Sequence, residues 1–266
     1  MRFTKSVKLA AVALGLTATI ASAGCAAAEP APAPAKPTIV LVHGAFAESS
    51  SWNGVLGKLN QQGLTSIAAG NPLRSLSGDA DAVRSVVASI PGPVILVGHS
   101  YGGQVISQIH DPKVKALVYV AAFAPEQGET IGELSGKFPG GTLGETLNKV
   151  ALPDGSTDLY IQPGKFRHQF AADVPEAQAA LDAETQRPLN DRALNDKSGA
   201  PNWKTVPSWF VFPEADLNIP VAAHRFMAER AGSKETVEIP GASHALTVSQ
   251  PDAVAKVIAD AVKAVA

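Results

Sequence analysis

The sequence predicts an α/β protein with a mostly parallel central sheet, helices on both faces and one small cap insertion. Three observations predict it. Short runs almost free of polar residues recur along the chain, as strands buried on both faces require. Segments with helical apolar spacing lie between them. One long irregular stretch interrupts the alternation. Of the 266 residues 45% are hydrophobic and 17% charged, which suits a large core and argues against disorder.

Taken in order, Thr38-Ile39-Val40-Leu41-Val42 is the first apolar strand, and residues 65–69 form a weaker second candidate. Residues 79–90 place Val83, Val86, Val87 and Ile90 at helical spacing, and Pro91-Gly92-Pro93 ends that helix. Val94-Ile95-Leu96-Val97 is the next strand. Residues 101–110 read as a helix closed by Asp111-Pro112, and residues 114–122 as a further strand. The rhythm then breaks over about 123–206, a stretch with Gly140-Gly141, an Asp154-Gly155 turn and one helical segment at 175–185. A long insertion between regular units is a cap or lid candidate. The alternation resumes with a strand at 208–212, a helix at 221–231, a strand at 236–239 and a last helix at 251–264.

The N-terminus reads as an address label. Arg2, Lys5 and Lys8 precede an uncharged, mostly apolar run at 9–20, and Ala21-Ser22-Ala23 matches a signal-peptidase site. The apolar run falls short of the roughly 20 residues a membrane span needs. Residues 1–24 are therefore expected to be a signal peptide, 25–37 an Ala/Pro-rich linker and 38–266 the folded domain, exported to the periplasm or beyond. Ser22-Ala23-Gly24-Cys25 resembles a lipobox with Ser22 where a large aliphatic residue is usual. Cys25 is thus a candidate lipidation site, beside the alternative of an ordinary cut after Ala23 or Ala28.

The whole chain carries 22 basic and 24 acidic residues; without residues 1–24 the balance is 19 to 24, a net −5. No basic cluster in the mature chain could track a phosphate backbone, so nucleic acid is not an expected partner. Cys25 is the lone cysteine, which excludes intramolecular disulfides and four-cysteine zinc sites.

The sharpest motif is Gly98-His99-Ser100-Tyr101-Gly102, a G-x-S-x-G between an apolar strand and a helix. An abrupt strand-to-helix turn crowds the backbone, so small residues are needed around it, and the turn lifts Ser100 to a helix N-terminus. A serine nucleophile needs a base held by a third group. Of six histidines, His99 lies inside the turn and His110 about 15 Å along the helix. His43 is expected to brace its loop, and His168 and His224 to face solvent or pack. His244 follows the last strand, at the carboxyl edge that also carries Ser100, and is the expected base. Asp216 is the expected acid by chain order, with Glu214 and Glu126 as rivals. The backbone N–H of Tyr101 and that of Ala45 are the expected oxyanion donors, Phe46 being the alternative to Ala45.

These residues, with the run Val118-Tyr119-Val120-Ala121-Ala122-Phe123-Ala124-Pro125, resemble the α/β-hydrolase superfamily. More narrowly they are similar to its small bacterial and plant group of esterases, methylesterases and hydroxynitrile lyases. The resemblance implies the α/β-hydrolase fold, a cap between the sixth and seventh strands, and a serine hydrolase that needs neither cofactor nor metal. Hydroxynitrile lyases of the group carry lysine after the catalytic histidine and lack the first-loop glycine; Ala245 and Gly44 stand here, which favours an esterase. The expected partner is a small ester, and no membrane apart from a lipid anchor at Cys25. A lactonase or perhydrolase using the same residues, or a binding protein on this scaffold, are the competing readings. Phe46, Tyr101, Phe123 and Leu246 are candidate pocket walls.

Overall fold

A computed structural model describes residues 1–3 and 36–265. The signal-peptide and linker readings, Cys25 included, lie almost wholly outside the described residues. Among these residues, no helix is long and apolar enough to cross a membrane.

Six strands form one parallel sheet: β1 (Thr38–Val42), β2 (Ser66–Ala69), β3 (Val94–His99), β4 (Val114–Val120), β8 (Ser208–Pro213) and β9 (Thr236–Ile239). They stand in the order β2-β1-β3-β4-β8-β9. From β1 the chain adds β2 on one side and β3 on the other, so the strand order reverses between β1 and β3, and the crevice at their carboxyl ends is where such sheets place ligands. Alternate side chains serve opposite faces. Val40, Val42 and Leu96 pack towards α2 (Leu76–Ser89), α3 (Tyr101–Ser107) and α8 (Val221–Arg230). Ile39, Leu41, Ile95 and Val97 pack towards α1 (Asn53–Gln61) and α10 (Pro251–Val265). That double burial is why these strands read as unbroken apolar runs.

Helix α3 ends at Ser107, three residues before the expected end, and helices α2 and α1 also differ from expectation. Helix α2 starts at Leu76, three residues early, because Ser75 caps it by accepting a hydrogen bond from Gly78 N–H. Helix α1 has no clear signal in the sequence. Gly54 and Gly57 each cost it about 1 kcal/mol of intrinsic propensity, and only Val55 and Leu59 form its buried stripe. Gly54 lets α10 approach closely, since a β-carbon there would lie 3.1 Å from Pro251.

The insertion is more regular than its sequence suggests. It holds α4 (Ile131–Gly136), β5 (Leu147–Ala151), β6 (Thr157–Ile161), α5 (Pro163–Phe170), α6 (Glu176–Thr185), β7 (Leu189–Asn190) and α7 (Asp191–Asn195). The three strands form an antiparallel sheet of their own, hinged at the Asp154-Gly155 turn. The insertion separates β4 from β8, the fourth and fifth strands of the six-stranded sheet. It is tied down by Arg74, whose guanidinium donates to Asp158 at 2.8 Å and to the Pro188 carbonyl at 3.2 Å. A short helix α9 (Leu246–Ser249) precedes α10.

Candidate active site

The chain turns from β3 into α3 through Ser100, whose φ of +53° is left-handed and rare for a residue with a β-carbon. The turn is feasible because Gly98 and Gly102, two residues to either side, lack side chains. A β-carbon on Gly98 would lie 2.6 Å from the Gly102 carbonyl, and one on Gly102 would strike the carbonyl oxygen of Val42. The strain is held by a buried anchor: Tyr101 hydroxyl donates to Asp79 at 2.7 Å. Burial raises the Asp79 pKa, which the Tyr101 bond only partly offsets.

Loops from three strand ends converge on this turn. Ser100, 7% exposed, lies 2.9 Å from His244 Nε2. His244 Nδ1–H donates to Asp216 Oδ2 at 2.7 Å, and Oδ1 of the same carboxylate accepts the N–H groups of Asn218 and Ile219. Burial alone would raise the Asp216 pKa. The charge of His244 and hydrogen bonds from His224 and His244 outweigh it, and hold the group well below the usual carboxylate range. Of the rival acids, Glu214 is exposed and Glu126 pairs with Lys204 at 2.6 Å.

The loop after β1 passes over Ser100. A β-carbon on Gly44 would stand 2.6 Å from the Ser100 β-carbon, so only glycine brings this loop so close. His43 braces it: Nδ1–H donates to the Gly44 carbonyl and Nε2 accepts Asn71 N–H at 3.0 Å. Burial lowers its pKa to about 4, which keeps it neutral. Phe46 N–H is engaged by the Arg187 carbonyl of the cap at 2.9 Å. The N–H groups of Ala45 and Tyr101 have no such acceptor among the described residues, and Tyr101 is the first residue of α3, where intrahelical acceptors are lacking.

Two features lay outside the sequence reading. His99 does not simply turn away from the site; its Nε2–H donates to the His244 carbonyl at 3.1 Å and pins that loop. The cap pins it too, through Phe170 carbonyl accepting Ala245 N–H and Asp173 accepting Ser243 Oγ–H. His224 packs, stacked on Phe212, and besides that lies fully buried against Asp216. His168 and His110 are exposed.

Two cavities share Phe46; His244 and Ser100 line only the smaller one. An apolar chamber of about 30 Å³ borders Ser100, Ala45 and Tyr101 and is closed by Phe123, Ile131, Leu143, Leu189 and Leu194. A larger one of about 270 Å³ lies between cap and core, lined by Phe166, Phe170, His99 and Ala245, with Glu48 and Asp182 as its charged residues. Phe46 lines both. Leu246 lines neither; it packs with α1 and α10 on the far face of the sheet. Among the described residues, no group of three or more His, Cys, Asp or Glu side chains is arranged to hold a metal ion.

Comparison with known proteins places this geometry in context. The sequence model of the alpha/beta hydrolase family matches residues 39–257. A carbendazim hydrolyzing esterase from Nocardioides sp. is 34% identical over 134 residues, 41% of this chain and 55% of that protein. A pyrethroid hydrolase from Sphingobium wenxiniae is 28% identical over 253 residues, covering 84% and 86% of the two chains. In three dimensions the fold matches the crystal structure of polyneuridine aldehyde esterase, with a TM-score of 0.73 at 20% identity over 85% of this chain and 99% of that one.

Proposed function

Because the chain belongs to the alpha/beta hydrolase family, we propose that it hydrolyses small carboxylic esters through an acyl-enzyme on Ser100. The observation that carries this reading is the continuous relay from Ser100 Oγ through His244 to Asp216, with links of 2.9 and 2.7 Å. Ser100 attacks the ester carbonyl while His244 Nε2 takes its proton, and Asp216 holds the imidazole with its other proton on Nδ1. The N–H groups of Ala45 and Tyr101 receive the oxyanion. His244 then protonates the departing alcohol, and water, activated by the same imidazole, releases the acid.

The two cavities divide the substrate. The chamber at the oxyanion donors takes the acyl group and has room for only a few heavy atoms. The larger cavity, which shares Phe46 with the chamber, takes the alcohol. Acetyl and propionyl esters of bulky aromatic alcohols should therefore exceed methyl esters of bulky acids in kcat/KM by about 10-fold or more, since one methylene in a tight pocket is worth roughly 10–200-fold. A substrate panel measured at fixed pH checks this. The reverse ranking would overturn the division, and tight binding without turnover of any ester would favour a binding protein.

The N-terminal pattern supports an exported enzyme. The intact mass of the purified native protein tests that: a chain retaining Met1 rules out processing, and added lipid mass at Cys25 identifies an anchor.

A further inference from the structure

We propose that His224 is a positioning residue that tunes the basicity of His244 through the carboxylate they share. The inference rests on the ester-hydrolase reading above and adds a fourth member to its relay.

His224 is fully buried on α8. Its Nε2–H donates at 3.0 Å to Asp216 Oδ2, the same oxygen that accepts His244 Nδ1–H. The other oxygen is occupied by two backbone N–H groups, so Asp216 receives four hydrogen bonds and cannot rotate. The His224 ring lies flat on Phe212, with centroids 4.9 Å apart and planes 8° from parallel. Its Nδ1 is buried and has no partner among the described residues. This arrangement fits a neutral ring with its one proton on Nε2, because a protonated ring would bury an unpaired Nδ1–H donor. Burial lowers the His224 pKa against the pull of Asp216. The charged or titratable groups facing it are Asp216 and His244 from the loops after β8 and β9, and Glu238 of β9, which is itself paired with Arg225 of α8 at 2.6 Å.

A carboxylate oxygen that already accepts one hydrogen bond attracts a second proton less strongly. By occupying Oδ2, His224 reduces the stabilisation that Asp216 offers the His244 imidazolium, so activity should hold to lower pH with His224 than without it. It does this without adding a charge, which a lysine or arginine in its place would.

The test compares kcat/KM against pH for wild type, His224→Gln and His224→Phe, using an acetyl ester. Phenylalanine keeps the stack on Phe212 and removes the donor; glutamine keeps an N–H donor. The acid limb of His224→Phe should move up by roughly 0.5–1 pH unit, the scale set by one neutral hydrogen bond, and that of His224→Gln should stay near wild type. Equal losses in both variants with the limb unmoved would reduce His224 to a packing residue and overturn the proposal. Histidine ¹⁵N NMR of the wild type gives a readout independent of how the variants fold. His224 should stay neutral with its proton on Nε2 while His244 titrates; a charged His224 in that range overturns the proposal. The pH dependence of fluorophosphonate labelling separates the two readings. Failure of the wild type to label sinks the hydrolase itself, whereas labelling with the same limb in all three proteins sinks only the role of His224.

Discussion

Ser100→Ala is expected to lower kcat for acetyl esters by about 10⁶-fold, the scale seen when a serine nucleophile is removed from an intact relay. Fluorophosphonate labelling should vanish with it. The fold should be little affected, because the one side-chain hydrogen bond lost is the 2.9 Å link to His244, and the backbone turn is held by Gly98, Gly102 and the Tyr101–Asp79 anchor. Melting temperatures of the two proteins within a few degrees of each other would show that chemistry, not folding, was removed. A variant that keeps even about a hundredth of the activity is incompatible with Ser100 as the nucleophile.

Asp216→Asn should have the next largest effect, about a 10⁴-fold fall in kcat with KM little changed. The reason lies in the donors around the carboxylate. Oδ1 faces two backbone N–H groups, so the amide oxygen of asparagine would settle there and its NH₂ would face His244 and His224. His244 would then have to accept on Nδ1 and carry its proton on Nε2, where it cannot take one from Ser100. Burst kinetics check this, and a loss of less than tenfold would remove Asp216 from the relay. The same substitution has a pH signature in stability. The folded-state pKa of Asp216 is depressed, so its pairing stabilises the fold above about pH 4, the unfolded carboxylate value, and that contribution is lost as pH falls further. The melting-temperature gap between wild type and variant should therefore be widest near neutrality and narrow in acid. A gap that widens in acid would contradict the ionised, paired carboxylate.

The strands and the Ser100 turn were legible because their signals are local. Val94-Ile95-Leu96-Val97 is apolar on both faces because both faces are covered, and Gly98 is demanded by the Gly102 backbone four residues on, within the same turn. Helix α1 was not legible, since its glycines speak against a helix and only docking against α10 outweighs them. The cap sheet was hidden for a related reason: β5 is an exposed edge with no apolar alternation, paired only through the Asp154-Gly155 turn.

The site divides along the same line. Sequence alone determined the α/β alternation, the Ser100 turn and the chain order that singles out His244 and Asp216, because each depends on short-range geometry or on which end of a parallel strand a loop follows. Only the tertiary structure decided that Phe46 N–H is consumed by Arg187 while Ala45 N–H is not, and that His224 shares Asp216 with His244. It also decided that Phe46 borders two cavities of very different size. Each of these is a contact between segments folded separately along the chain. A hydrogen bond formed at 3 Å by cap closure or helix packing leaves no periodicity behind it, so it becomes visible only when the sheet edge, the cap and α8 have been brought together.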